Sequence, residues 1–112
     1  MADDLATYQP QTLTAEQAQA LPGWTLLNFG ANGCHFCQAA APLVERLLFV
    51  YPQIAHVGIA DGKGQRLGRQ YQVKLWPTLI LLQQGQEVAR VVRPISADAL
   101  MSVFTPYLTG SV

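Results

Sequence analysis

The sequence predicts an α/β fold in which helices flank both faces of a central mixed β-sheet. Two observations favour this fold: the first half of the chain reads as strand, helix, strand, and the second half as a hairpin followed by a helix. Strand, helix, strand requires two parallel strands joined by a crossover, whereas the two strands of a hairpin are antiparallel. With 112 residues, we expect one domain over residues 1–112, built on one core.

The first half of the chain contains three predicted elements. The segment from Thr14 to Gln17 is typical of a capping box that begins a short helix, which ends by Leu21 before Pro-Gly. The apolar run Trp24–Phe29, bounded by glycines, predicts a buried strand. From Cys34 to Tyr51 apolar residues recur at spacings of three and four, which predicts an amphipathic helix. The apolar positions of this helix are Phe36, Ala40, Leu43, Val44, Leu47, Leu48 and Tyr51.

The second half begins with a strand at Ile54–Ala60, followed by a turn and a short helix that ends near Tyr71. A hairpin then joins Thr78–Leu82 to Glu87–Arg93. Ser96 caps a last helix, which we expect to end or bend at its proline. The apolar stripe of that helix is predicted at Ala99, Leu100, Val103, Phe104 and Tyr107, and the proline is Pro106.

Composition narrows the function classes. Seven basic and seven acidic residues cancel and form no basic cluster, so we expect neither nucleic-acid nor membrane binding. No apolar stretch approaches the about 20 residues of a membrane span. Residues 1–11 are polar, with Asp3 and Asp4 where a signal peptide would be basic. We therefore expect a cytoplasmic protein, or a periplasmic or secreted one if a signal peptide was removed.

The two cysteines, Cys34 and Cys37, are the candidate catalytic residues. Positions three apart on a helix lie on one face, close enough for a disulfide. Cys34 stands at the predicted helix start, where unpaired N–H groups and the helix dipole stabilise a thiolate. We therefore expect Cys34 to attack a target disulfide and Cys37 to resolve the mixed disulfide. We expect no metal and no bound cofactor.

Other interpretations of the cysteines remain. They could be half of a zinc site with His35 or His56, although the adjacent Cys34 and His35 would point in different directions. They could also be an inert buried pair, although the helix start argues against this. A charged His35 would favour the Cys34 thiolate and make the pair more oxidising, or it could be an incidental surface residue. We expect His56 to be structural.

Three separated features, between about Thr25 and Leu108, resemble the thioredoxin family. They are the strand, loop and Cys-x-x-Cys segment Leu27–Cys37 with Pro42 beyond it, the segment Tyr71–Leu82, and the hairpin Gln84–Val88. The resemblance implies the thioredoxin fold, a helix kinked at Pro42 and a cis bond before Pro77. It also implies that the backbone of Trp76 pairs with an extended target peptide beside Cys34.

The chain also departs from the family pattern. The buried aspartate of thioredoxins is Asn28 here, and the nearby lysine is missing, with Val57 and Gly58 in that region. A glycine of the last loop is replaced by Arg93. The family's tryptophan before the first cysteine is Gly33, and its Gly-Pro between the cysteines is His35-Phe36. These departures favour a specialised or more oxidising member.

The sequence therefore predicts a monomeric enzyme that exchanges disulfides with protein substrates and with an unidentified electron donor or acceptor. We expect His35, Phe36, Asn28 and Pro42 to modulate the cysteines, and Gly33, Trp76, Pro77 and Arg93 to contact the substrate. Gly30 and Gly33 are expected to let the loop turn and to give the target disulfide room. Two alternatives remain: a glutathione-linked reductase, for which only Lys74 and Arg93 offer positive charge, and a redox-inactive binding or assembly module.

Overall fold

The computed structural model describes residues 5, 7–10 and 13–110. Asp3 and Asp4, on which the expectation about a signal peptide depended, lie outside them. The helices are α1 (Ala15–Gln19), α2 (His35–Val50), α3 (Arg66–Gln70) and α4 (Ala97–Leu108). The strands are β1 (Trp24–Gly30), β2 (Ile54–Ala60), β3 (Thr78–Gln83) and β4 (Gln86–Val92).

The four strands form one mixed sheet in the order β2-β1-β3-β4. β1 pairs in parallel with β2, with Trp24 opposite Ile54, and antiparallel with β3, with Phe29 opposite Thr78. β3 and β4 form the antiparallel hairpin. The predicted parallel crossover and hairpin are both confirmed. β1 lies between two strands and is buried along nearly its whole length, which explains its continuous apolar run.

Apolar side chains fill both faces of the sheet. Because successive strand residues point to opposite faces, the neighbours Leu26 and Leu27 belong to different clusters. One cluster packs the sheet against α2 and α4, and the other packs it against α1 and α3. The first contains Leu26, Val44, Leu47, Leu79, Leu81, Leu100 and Phe104, and the second contains Ala18, Leu27, Phe29, Ile59, Leu67, Ile80 and Leu82. The predicted helices on both faces are thereby confirmed.

Three details of the helix predictions are wrong. Phe36 is 54% exposed, because it lies in the first turn of α2 and not over the core. Val103 is also exposed, since Leu100 and Phe104 carry the buried face of α4. The expectation that α4 ends at Pro106 is wrong, because the helix continues to Leu108 without the one hydrogen bond that the proline cannot donate; a bend there stays a prediction.

Other local predictions hold. Thr14 forms both hydrogen bonds of a capping box with Gln17, and Ser96 caps α4 through the Ala99 N–H. α2 continues through Pro42, and the kink that the resemblance implied there stays a prediction. Within the described part of the chain, no helix is long and apolar enough to cross a membrane.

Candidate active site

Cys34 is the residue from which α2 begins. It caps the helix in an extended conformation, and its sulfur accepts a 3.2 Å hydrogen bond from the backbone N–H of Cys37. Cys34 is partly exposed, whereas Cys37 is only 1% exposed, and both are free thiols. A sulfur that is open to solvent and receives a helix N–H is placed to react as a thiolate.

Cys37 lies in a different environment on the same helix turn. Burial, followed by the hydrogen bond and charge of Cys34, raises the pKa of the Cys37 thiol to about 11. A backbone hydrogen bond from Ala31 and the hydroxyl of Tyr8 act in the opposite direction. Cys37 is therefore a neutral thiol near pH 7, which suits the second of two successive thiols in exchange.

Asn28 joins a buried hydrogen-bond network beneath the cysteines. Its side chain is 1% exposed, and its Oδ1 accepts a 3.0 Å hydrogen bond from the Tyr8 hydroxyl. Its Nδ2 donates to the Leu5 carbonyl at 3.2 Å and contacts His56 Nε2 at 3.1 Å. Asparagine occupies the position where the family's titratable carboxyl is expected, and all its polar atoms have partners.

The contact with Asn28 fixes the tautomer of His56. An amide nitrogen can only donate, so His56 Nε2 accepts and the neutral ring carries its hydrogen on Nδ1. Burial also lowers the pKa of His56, which favours the same neutral form of the ring. The structure therefore places His56 as a neutral hydrogen-bond acceptor that supports Asn28.

Tyr8 is a site residue that the sequence analysis missed. It is 2% exposed, and its backbone N–H and carbonyl are both bound by the side chain of Asn32, at 2.8 and 3.1 Å. The next residue, Gln9, forms a parallel bridge with Ile59 at the end of β2. These contacts hold the N-terminal segment against the loop that precedes Cys34.

Gly30 makes the close approach of Tyr8 possible. A Cβ placed on Gly30 would lie 2.7 Å from both the Tyr8 hydroxyl oxygen and the Cys37 sulfur. The expectation that Gly30 lets the loop turn is wrong, because Gly30 ends β1 in extended conformation and is needed for space. Gly33, by contrast, turns the loop with φ +83°, and a Cβ added there would meet nothing within 4 Å; its contact with a substrate stays a prediction. In the sequence, the one sign that another residue approaches this closely was a glycine at the end of an apolar strand.

The expected substrate-contacting residues come together through Arg93. The Trp76–Pro77 bond is cis, as the resemblance implied. Arg93 has φ 50°, donates from Nε to the Trp76 carbonyl at 2.8 Å, and donates its backbone N–H to the Pro77 carbonyl at 3.0 Å. Its guanidinium also stacks on the Phe36 ring at 3.9 Å. Trp76 is fixed from its other end by Asp61, which accepts from the indole N–H at 2.8 Å.

An apolar groove runs beside this cluster between α2 and the chain after β4. Ile95, at its border, is 92% exposed. The groove is lined by Phe36, Ala39, Leu43, Arg93, Pro94 and Ile95. An exposed apolar groove that begins two residues from the partly exposed Cys34, at Phe36, could receive apolar side chains of a polypeptide.

The other expected site residues lie apart from this cluster. His35 is the first residue of α2 and is exposed. Pro42 is exposed and faces a second groove, which Glu45, Arg46, Phe49 and Ala97 also line. Among the residues that the structure describes, no three His, Cys, Asp or Glu side chains converge to hold a metal ion.

Comparisons with known proteins agree with this geometry. The thioredoxin family model matches residues 10–105. The solved structure of reduced thioredoxin 2 from Pseudomonas aeruginosa is 44% identical, with a TM-score of 0.81 over 94% of this chain and 96% of that one. A thioredoxin-like protein from Synechocystis is 37% identical over 69% of this chain and 74% of its own length. The thioredoxin of Chlamydia trachomatis is 31% identical over 76% of this chain and 83% of its own.

Proposed function

The chain belongs to the thioredoxin family of thiol–disulfide oxidoreductases, and we propose that Cys34 is its attacking thiolate and Cys37 its resolving thiol. One observation carries this assignment. Cys34 is partly exposed and its sulfur accepts the Cys37 N–H, whereas Cys37 is buried and its pKa is raised to about 11. Only Cys34 is both reachable and stabilised as an anion.

The reaction then proceeds in two exchanges. The Cys34 thiolate attacks one sulfur of a target disulfide, forms a mixed disulfide with it and releases the other target sulfur as a thiolate. Cys37 loses its proton and attacks the Cys34 sulfur, which forms the Cys34–Cys37 disulfide and releases the second target thiolate. The two cysteines lose two electrons, the target disulfide gains them, and the released thiolates take up protons from water.

The target would dock along Trp76, Pro77 and the apolar groove. Apolar target side chains fit the groove, and the target backbone would lie against Trp76 beside Cys34. Arg93 holds the Trp76 carbonyl through its own Nε, so a peptide N–H must share this carbonyl with Arg93 or displace Arg93 from it. Arg93 would then favour targets with a carboxylate, which can bind its guanidinium as it moves.

Family membership implies protein disulfide substrates and a reductase partner. We further propose that the protein acts as a monomer with a single domain over residues 1–112, and that it works in the cytoplasm. The family match over residues 10–105 supports the single domain. Which proteins it reduces or oxidises depends on the potential of the cysteine pair.

Two single-cysteine variants test the assignment. Cys37→Ser should trap mixed disulfides with protein targets, because nothing then resolves the bond on Cys34. Cys34→Ser should neither trap targets nor catalyse insulin reduction driven by dithiothreitol. Mass spectrometry of alkylated, non-reduced samples counts the trapped adducts. Trapping by Cys34→Ser instead would reverse the two roles.

A further inference from the structure

We propose that Tyr8 is a further catalytic residue of this exchange: its hydroxyl turns from Asn28 to donate its hydrogen to the Cys37 sulfur as that sulfur gains negative charge. The inference rests on the proposed role of Cys37 as the resolving thiol. It starts from the closeness of two buried groups. The Tyr8 oxygen and the Cys37 sulfur both lie 2.7 Å from the point that a Cβ of Gly30 would occupy.

The Tyr8 hydroxyl has one hydrogen and two acceptors beside it, Asn28 Oδ1 and the Cys37 sulfur. With Cys37 as a neutral thiol, it donates to Asn28 Oδ1 at 3.0 Å. A hydroxyl rotates freely about its C–O bond, and a buried thiolate is a stronger acceptor than an amide oxygen. Formation of the Cys37 thiolate therefore draws the hydrogen toward the sulfur.

Asn28 cannot itself donate a hydrogen bond to the Cys37 sulfur. Its nitrogen is occupied by the Leu5 carbonyl and His56 Nε2, and its oxygen can only accept. Asparagine also does not titrate, so no carboxyl takes the Cys37 proton at this position. Of the network residues Tyr8, Asn28 and His56, only Tyr8 has a hydrogen that is free to turn toward the sulfur.

Tyr8 acts here as a donor and keeps its proton. Burial, and then its contact with Cys37, raises the pKa of the Tyr8 phenol further above its ordinary value, so the phenol stays neutral beside a thiolate. In the resolving step the Cys37 proton leaves to water, the Cys37–Cys34 bond forms, and the bond from Cys34 to the target sulfur breaks. Tyr8 stabilises the charge on Cys37 throughout and is unchanged at the end.

Backbone contacts hold Tyr8 ready for this role. Asn32 binds both its N–H and its carbonyl, and Gln9 bridges to β2. The hydroxyl therefore needs only a rotation and no movement of the chain, which is the property expected of a preorganised donor.

The proposal predicts an effect on rate without an effect on equilibrium. Near pH 7 Cys37 is a thiol in the reduced protein and part of the disulfide in the oxidised protein, so neither end state carries its negative charge. Only the transition state does. Removing the donor should therefore slow both directions equally and leave the reduction potential unchanged.

The test uses Tyr8→Phe with Tyr51→Phe as its matched control. Tyr51 also donates or accepts a side-chain hydrogen bond, to Thr105 at 2.9 Å, but it caps the C-terminal end of α2, at the far end of the helix from Cys37. Reduction of the oxidised protein by excess dithiothreitol expels Cys37 as the leaving thiolate, the reverse of the resolving step. We expect this rate to fall about four- to twelvefold in Tyr8→Phe. The charge-assisted hydrogen bond to the departing Cys37 sulfur is about half formed in the transition state, and the variant loses that stabilisation.

The potential is measured on the same variants in glutathione buffers, and we expect it to stay within about 10 mV of the parent. An unchanged rate, an equal loss in Tyr51→Phe, or a shift in potential that accounts for the slower rate would each overturn the role of Tyr8. If Tyr8→Phe fails to fold, 3-fluorotyrosine at position 8 keeps the hydroxyl as a stronger donor and should speed the reduction. No acceleration would also overturn the proposal. Failure of the cysteine roles is seen separately, as trapping by the wrong single-cysteine variant.

Discussion

The guanidinium of Arg93 lies 3.9 Å from the centroid of the Phe36 ring, which places a positive charge directly over the residue before Cys37. The same side chain occupies the Trp76 carbonyl through Nε. We propose that Arg93 influences access to Cys34 in two ways, by its charge and by competition for the Trp76 carbonyl.

Replacing Arg93 should therefore change the reaction rate with small anionic disulfides differently from the rate with peptide disulfides. In Arg93→Gly we expect a several-fold slower reaction with dithiobisnitrobenzoate, a dianion, because the local positive charge is lost. We expect an equal or faster reaction with a neutral peptide disulfide, because the Trp76 carbonyl is freed. Glycine also adopts the positive φ of this position without strain. Stopped-flow kinetics on the reduced protein measures both rates.

The matched control for this charge is Arg90→Gln. Arg90 lies on β4 and pairs with Glu87 at 2.7 Å, away from the cysteines. Its loss removes one positive charge from the protein but none from the site. If Arg90→Gln slows the dianion as much as Arg93→Gly does, the effect belongs to net charge and the role given to Arg93 is wrong.

The position of His35 predicts an effect on redox potential. His35 is exposed and follows Cys34 directly, so an imidazolium there favours the thiolate and hence the reduced form. His35→Ala should make the pair more reducing, and about 30 mV corresponds to about 1.4 kcal/mol for this couple. His35→Lys, which places a positive charge at the same position, should not show this shift. A potential within about 10 mV of the parent in the alanine variant would make His35 an incidental surface residue.

The fold could be predicted because its signals are local or periodic. The apolar run of β1, the spacing of apolar residues along α2 and the capping residues Thr14 and Ser96 each depend on neighbours in sequence. The cis bond before Pro77 came from the family resemblance, since a proline alone carries only a small chance of one.

The network around Cys37 could not be predicted for the opposite reason. Tyr8 meets Asn28 across 20 positions of sequence, and Asn28 meets His56 across 28. Pairing of this kind depends on which strands become neighbours and on the space left at Gly30, neither of which periodicity shows. The same holds for Arg93, whose contacts with Phe36 and Trp76 exist only once the last loop is folded over α2.

The depressed pKa of His56 predicts how stability depends on pH. Burial lowers this pKa in the folded protein, so between that value and the ordinary one of about 6.5 the unfolded chain binds more protons than the folded one. The free energy of unfolding should therefore fall as pH drops from 7 to 5, by at most about 1.4 kcal/mol per pH unit from this group. Urea unfolding at several pH values measures it.

A glutamine at position 56 sharpens this test. His56→Gln keeps an oxygen that can accept the Asn28 hydrogen but removes the titration, so the slope between pH 7 and 5 should flatten. An unchanged slope in His56→Gln would assign the pH dependence to other groups.

The space over Gly30 gives the last prediction. An added Cβ would collide with the Tyr8 ring and lie 2.7 Å from the Cys37 sulfur. Since both neighbours are buried, Gly30→Ala should lower the free energy of unfolding by about 1–3 kcal/mol. Gly33→Ala is the matched control, because position 33 has positive φ but open space. It should cost about 1 kcal/mol from backbone strain and leave Tyr8 in place.

A double-mutant cycle with Tyr8→Ala identifies the source of the cost at Gly30. If the collision with the Tyr8 ring dominates, Gly30→Ala should cost clearly less when Tyr8 is already alanine, with a coupling of at least about 0.5 kcal/mol. Gly33→Ala should show none, because a Cβ added at position 33 would meet nothing within 4 Å. Urea unfolding of the reduced variants gives all the values needed. Strictly additive costs at Gly30 and Tyr8 would mean that the space over Gly30 is kept for Cys37 alone.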